Sequence, residues 1–156
     1  MTATTTSPLT SLQTGHVALN VTDLERSQAF YEAVLGLHEL KKSSDPDRPW
    51  VFLARDGRLV ITLFQQSTGT FGTAAPGLHH LSFQVESLEQ VQAAEQVVRQ
   101  LGAPVFHDGI AVHAEGADSG GLFFADPDGI RLEIFAPTGV AGSPAPSGEA
   151  PTCGFF

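Results

Sequence analysis

Three side chains in separate segments of the sequence have the types and the placement needed to bind a metal ion. His16 begins an alternating apolar segment, residues 16–21, and His80 begins a second one, residues 80–85. Glu133 lies between apolar neighbours in a third segment. Two imidazoles and one carboxylate suit a divalent metal such as iron, manganese, nickel or zinc, with positions left open for a substrate. Three ligands do not identify the metal.

The segment around Glu133 predicts a β-hairpin. Asp126-Pro127-Asp128-Gly129 has turn chemistry, because Pro presets one backbone angle and Gly accepts a positive one. The returning strand then carries Glu133 on the same face as Arg131. A buried carboxylate needs a partner, since burying it alone is costly. Either Arg131 and solvent satisfy it on an open face, or a metal or a proton does so inside a cavity.

The three segments belong to an internal repeat of β-α-β-β-β type, with modules at residues 14–66 and 78–137. Aligning His16 with His80 also brings together the helix-ending glycines, Gly36 and Gly102, and the turns Asp56-Gly57 and Asp128-Gly129. In each module one helix covers one face of the sheet. The sequence therefore predicts an α+β protein in which two βαβββ modules form a cupped, barrel-like mixed sheet around one central pocket.

Strand alternation decides which side chains face that pocket. Val17, Leu81 and Leu132 occupy the helix-facing positions, so His16, His80 and Glu133 face the pocket. His79 alternates with His80 and is expected to be structural.

Composition narrows the class of protein. A chain of 156 residues suits one domain with a real core, and its net charge of −9 argues against nucleic-acid binding. It has no apolar run long enough to span a membrane, and a single cysteine suits a cytoplasmic protein. Residues 1–13 are predicted to be an N-terminal arm, and residues 138–156 a Pro/Gly-rich C-terminal tail whose final Cys-Gly-Phe-Phe could dock.

Several motifs in order resemble those of the vicinal oxygen chelate superfamily, over about residues 14–137. They are Gly-His-Val-Ala-Leu-Asn-Val from Gly15, the His-x-x-Phe strand at His80, and Asp-Pro-Asp-Gly-Ile-Arg-Leu-Glu ending at Glu133. That superfamily contains glyoxalase, fosfomycin-resistance transferases, extradiol dioxygenases and bleomycin-resistance proteins. The resemblance implies a metal held at His16, His80 and Glu133, a small-molecule substrate and a homodimer.

Departures from the family pattern limit the reaction. Glyoxalase has a fourth ligand, a glutamate, where Thr62 or Ile61 stands here, and a functional tyrosine of the transferases and dioxygenases is replaced by Phe123. The three-ligand set resembles that of the dioxygenases best. Those enzymes also use a further histidine, which is not a metal ligand and lies on a central strand of the second module. His113 is similar in place to that histidine, which makes it the candidate catalytic residue. The sequence thus predicts a metal-dependent enzyme, dioxygenase-like or lyase/isomerase-like. The alternative is a non-catalytic, drug-sequestering protein of the bleomycin-resistance type.

Overall fold

The computed structural model describes residues 7–156, so the first six residues of the predicted arm lie outside the described part. Each module contributes four strands and one helix in the predicted order. The first module consists of β1 (Val17–Val21), α1 (Leu24–Leu35), β2 (His38–Lys42), β3 (Trp50–Arg55) and β4 (Arg58–Gln65). The second consists of β5 (Leu81–Gln84), α2 (Leu88–Gln100), β6 (Ala111–Val112), β7 (Gly120–Ala125) and β8 (Arg131–Ala136), and a short 3₁₀ helix follows at Thr152–Gly154.

The two sheets have the same topology, with strand orders β1-β4-β3-β2 and β5-β8-β7-β6. The first strand of each module pairs in parallel with the last, and the remaining pairs are antiparallel. The predicted α+β fold of two βαβββ modules is confirmed. The barrel-like part of the prediction needs correction, because within residues 7–156 each strand pairs only inside its own sheet, which leaves two open sheets and no closed barrel.

Both helices begin and end where local chemistry dictates. The Asp23 carboxylate accepts a hydrogen bond from the Arg26 N–H at the start of α1, and Gly36 ends that helix in the left-handed conformation, with a φ of 62°. The Ser87 hydroxyl caps α2 in the same way, by accepting from the Gln90 N–H. Each helix is thereby positioned against one face of its own sheet.

The helix sides of the two modules face each other. The ring of Phe30 on α1 lies 6.3 Å from that of Phe124, which shares the helix-covered face of the second sheet with its strand partner Leu132. Tyr31, fully buried, donates a hydrogen bond of 2.8 Å to Asp126 in the β7–β8 turn. The apolar core is therefore continuous between the modules, and the opposite face of each sheet is free for a site.

The segment of residues 104–107, which begins with Pro104, pairs with the second sheet only at an isolated bridge, between Val105 and Phe124. Proline lacks the N–H that a strand ladder uses, and His107 has a φ of 57°, outside the extended region.

Residues 138–156 pack against the second module. Val140 and Thr152 in this segment are fully buried. Among the described helices, none is both long and apolar enough to cross a membrane.

Candidate metal centre

Glu133 is the centre of the polar cluster on the free face of the second sheet. Its position in β8 places it opposite Ser82 of β5 and Phe123 of β7, and only 3% of its surface is exposed. One carboxylate oxygen lies 2.6 Å from His113 Nε2 and the other 3.4 Å from His80 Nε2. The His113 imidazole therefore hydrogen-bonds a carboxylate that could not be buried alone, and the His80 imidazole lies beside it.

His113 reaches Glu133 from the segment after β6. Its backbone N–H donates to the Ser119 carbonyl at 2.9 Å, and its Nδ1 lies 2.8 Å from the Ser119 hydroxyl. An ionised carboxylate only accepts hydrogen bonds, so in that state of Glu133 the 2.6 Å bond is donated by His113 Nε2. His113 thus contacts Glu133 directly, and its catalytic role stays a prediction.

His80 enters from the other side, at the start of β5. Burial lowers the pKa of His80 below its usual value, although the neighbouring Glu133 carboxylate acts in the opposite direction. The imidazole is accordingly disposed to be neutral, which is the form that binds metals. Its Nδ1 lies 2.9 Å from Nδ1 of the exposed His79.

His16 is exposed at the start of β1 and does not join this cluster. Over residues 7–156, no three side chains of His, Cys, Asp or Glu are close enough together to hold a metal ion. The chain therefore brings together two of the three predicted ligands, His80 and Glu133. The role of His16 stays a prediction.

The strand register supports the internal alignment on which His16 was chosen. Ala18 of β1 lies opposite Thr62, just as Ser82 of β5 lies opposite Glu133. His16 and His80 each precede these strand residues by two positions, so they occupy equivalent places in the repeat. Thr62 stands where the second module has its carboxylate, as the sequence predicted.

The donor chemistry of the cluster fits a divalent metal, but the set is incomplete within one chain. His80 and Glu133 supply one nitrogen and at least one oxygen that a metal of this kind accepts. Three protein ligands are the usual minimum for a catalytic site of this type. His80 and Glu133 alone are one ligand short of that number.

An aromatic recess adjoins Glu133, and we use that name for the side chains that surround the ring of Phe156. Ring centroids of Phe123, Phe106 and His80 lie 5.0, 5.3 and 5.6 Å from that of Phe156. His79 and His107 complete the aromatic walls, and the Arg131 guanidinium lies 5.6 Å from the ring centroid. The apolar Cys-Gly-Phe-Phe ending indicated docking, but the residues that surround Phe156 are 25 or more positions away in sequence and could not be identified from it.

Comparisons with known proteins identify the family and the fold. The profile of the Glyoxalase/Bleomycin resistance protein/Dioxygenase superfamily matches residues 13–134. A crystal structure of a glyoxylase/bleomycin resistance protein/dioxygenase domain from Frankia sp. EAN1pec superposes with a TM-score of 0.70 at 31% identity, over 81% of this chain and 93% of that one. A genomically encoded fosfomycin resistance protein from Listeria monocytogenes, solved with Mn(II) and sulfate, has a TM-score of 0.60 at 22% identity, over 83% and 94% of the two chains. That second likeness concerns the fold.

Two curated relatives carry names of enzymes. The catechol-2,3-dioxygenase of Bacillus subtilis strain 168 is 29% identical over 126 residues, which are 78% of this chain and 40% of the relative. The trivalent organoarsenical cleaving enzyme of Bacillus sp. strain MD1 is 31% identical over 121 residues, which are 77% of this chain and 70% of the relative. The chain thus spans well under half of the first and about two thirds of the second. By its profile match, its topology and these relatives, the chain belongs to the glyoxalase/bleomycin resistance protein/dioxygenase superfamily.

Proposed function

We propose that the protein is a metal-dependent enzyme acting on a small organic molecule, with a centre that two copies of the chain complete together. The observation that carries this proposal is the buried Glu133 held between His80 and His113. A carboxylate and a neutral imidazole that lie side by side can both bind the same divalent metal ion. The reaction is dioxygenase-like or lyase/isomerase-like, in keeping with the two enzymes to which the chain is similar.

His16 of a second copy is the proposed third ligand. It is exposed on the free face of the first module, in the place equivalent to His80. That face also presents a stacked pair, Trp50 and Phe52, with ring centroids 4.6 Å apart and both rings half-exposed. Covering such a surface with another copy is favourable, and a two-fold dimer would form the contact twice.

A divalent metal bound at this centre would supply Lewis acidity toward neighbouring oxygens of a substrate. His80 and Glu133 would hold it from one copy and His16 from the other. His113 would orient the Glu133 carboxylate through its Nε2 proton, and Ser119 fixes the ring that carries that proton. His113 is therefore the residue proposed to handle a proton at the site.

Metal analysis of purified protein tests the ligand set. His80→Ala, Glu133→Ala and His16→Ala should each lower bound metal at least tenfold, because outer partners alone already matter by about that factor. His38→Ala is the matched control, since His38 is exposed at the start of β2, in the other sheet from Glu133, and should retain the metal. A wild-type protein purified without chelator that carries no metal would contradict the proposal.

A mixing experiment tests the two-copy arrangement. His16→Ala and Glu133→Ala chains, unfolded together and refolded, should regain about a quarter of the wild-type metal, because half of random dimers are mixed and each mixed dimer keeps one intact site of two. Either variant refolded alone should regain none. Absence of recovery in a mixture that light scattering shows to be dimeric would place all ligands in one chain.

A non-catalytic binding protein is the second candidate, and the aromatic recess is the observation that favours it. Such a recess can retain an apolar ligand without any metal. A protein that carries no metal when purified without chelator, and that still binds aromatic compounds, would support this candidate over the enzyme.

A further inference from the structure

The ring of Phe156 fills the aromatic recess as a bound ligand would. It meets the faces and edges of four rings within 5.0–6.1 Å, those of Phe123, Phe106, His80 and His79. Centroid separations of this size are those of favourable aromatic pairs. The Arg131 guanidinium, 5.6 Å away, adds a cation–π contact.

The segment that carries Phe156 is tied to the site by specific bonds. The Thr152 N–H donates to the His113 carbonyl at 2.7 Å, and the buried Thr152 hydroxyl donates to the Val112 carbonyl at 2.7 Å. Burial, together with the Glu133 carboxylate, raises the pKa of the Cys153 thiol. Pro151–Phe156 therefore covers the face on which Glu133 lies.

One polar atom of the recess lacks a partner. The Nε2 atom of His107 is buried and makes no hydrogen bond within residues 7–156, while its ring lies 5.4 Å from that of Phe123 and 6.3 Å from that of Phe156. A phenylalanine ring has nothing to offer this nitrogen, and a buried polar atom left without a bond carries a real cost. A ring bearing a hydroxyl group would fill the same space and bond to it.

We propose that the recess is the binding site for a single aromatic ring with a hydroxyl substituent, and that Phe156 is an internal competitor which must leave before such a ligand enters. This inference rests on the proposed function, because the recess adjoins the proposed metal ligands, and it names the class of small molecule. While the ring of Phe156 occupies the aromatic recess, the chain thus blocks its own binding site. Ligand affinity is reduced by the fraction of molecules in which the segment is displaced.

Binding of para-fluorophenol to metal-free protein, followed by fluorine NMR in the presence of chelator, tests the competition. Phe156→Ala should bind the probe about tenfold more tightly than wild type, since a half-buried phenylalanine ring is the competitor removed. Phe64→Ala is the matched control, because Phe64 is a partly exposed phenylalanine of β4, in the first sheet, and is not one of the residues around Phe156. It should bind like wild type.

Two comparisons of affinity can overturn the proposal. If Phe156→Ala binds the probe no more tightly than wild type while its thermal unfolding is unchanged, Phe156 does not compete with the ligand. In Phe156→Ala, para-fluorophenol should also bind more tightly than fluorobenzene, and equal affinities would overturn the hydroxyl-bearing class. Should Phe156→Ala unfold early, Phe156→Leu, which keeps bulk but loses the ring, must still bind the probe more tightly than wild type. The probe-binding experiment is done without metal, so a negative result there does not bear on the proposed metal ligands. A negative result in the metal analysis likewise does not change how the probe-binding experiment is interpreted.

Discussion

The free faces of the two modules have the same strand register and opposite character. Thr62 and Glu133 occupy equivalent positions, opposite Phe52 and Phe123 respectively. The next equivalent pair is Trp50 and Gly121, opposite Phe64 and Phe135. At these positions the first face thus carries the Trp50 indole. The second face carries the Glu133 carboxylate and, at Gly121, no side chain.

Packing explains why the second module has a glycine at position 121, where the first has Trp50. A Cβ atom at Gly121 would lie 2.3 Å from the Ile134 carbonyl oxygen, closer than non-bonded atoms approach. No side chain fits there, so the second sheet leaves its face open to segments from elsewhere, and residues 138–156 occupy part of it. Within residues 7–156 the first sheet has no such cover, and His16 is exposed. The same scaffold thus has a polar, partly covered face in the second module and an exposed face with an aromatic pair in the first.

The hairpin turns differ in the same sense. Asp56-Gly57 is an exposed two-residue turn with both residues at positive φ, 50° and 74°. Asp126 in the equivalent turn is 2% exposed and its carboxylate accepts three bonds, from the Tyr31 hydroxyl and the backbone N–H groups of Asp128 and Ile130. One turn only reverses the chain. The other also joins the modules.

The largest effect is therefore expected at Asp126. Asp126→Ala should lower the free energy of unfolding by about 2–4 kcal/mol, because three buried donors lose their acceptor. Asp56→Ala, the matched change in the first module, should cost no more than about 1 kcal/mol, the scale of a turn-conformation preference. Urea unfolding followed by the fluorescence of Trp50 measures both. Equal losses would remove the distinction between the turns.

A smaller effect, with a pH signature, is expected at Tyr31. Tyr31→Phe should cost about 1–2 kcal/mol at pH 8, since it leaves one Asp126 oxygen without its donor. Burial, together with the Asp126 carboxylate, raises the pKa of Tyr31 well above its usual value. A raised pKa means that the stability Tyr31 contributes is fully present below pH of about 10 and is lost as pH rises through the folded-state pKa.

The difference in unfolding free energy between wild type and Tyr31→Phe should accordingly shrink above pH of about 10. Lysines that titrate in the same range are common to both proteins and cancel in the difference. Tyr31 is the single tyrosine of the chain, so tyrosinate absorbance reports its titration directly. A difference that stays constant through the appearance of tyrosinate would contradict the linkage.

Much of the fold and part of the site could be predicted from the sequence, because rules that act over a few residues determine strand faces and helix ends. Strand alternation gave the faces of His80 and Glu133, and capping residues gave the helix ends. The Asp126 turn was predicted as a turn, but its contact with Tyr31 crosses 95 residues and no local pattern encodes it. The same applies to Phe156 in the aromatic recess. The exposed position of His16 follows from the packing of helix sides against each other, which alternation within one strand does not determine.

The smallest expected effect concerns the hydroxyl at the position equivalent to Glu133. Thr62 is 2% exposed and its hydroxyl makes no hydrogen bond within residues 7–156, whereas the Thr152 hydroxyl on the second module donates to Val112 at 2.7 Å. Thr62→Val keeps the shape and removes a buried polar group without a partner, so it should raise the free energy of unfolding by about 1 kcal/mol. Thr152→Val is chemically the same change and should lower it by about 1 kcal/mol, because it breaks a bond that exists. Opposite signs in urea unfolding would show that the first face has lost the polar partners that the second retains. A loss at Thr62 as large as that at Thr152 would mean that the Thr62 hydroxyl is bonded after all, and the contrast between the two faces would narrow to Glu133 itself.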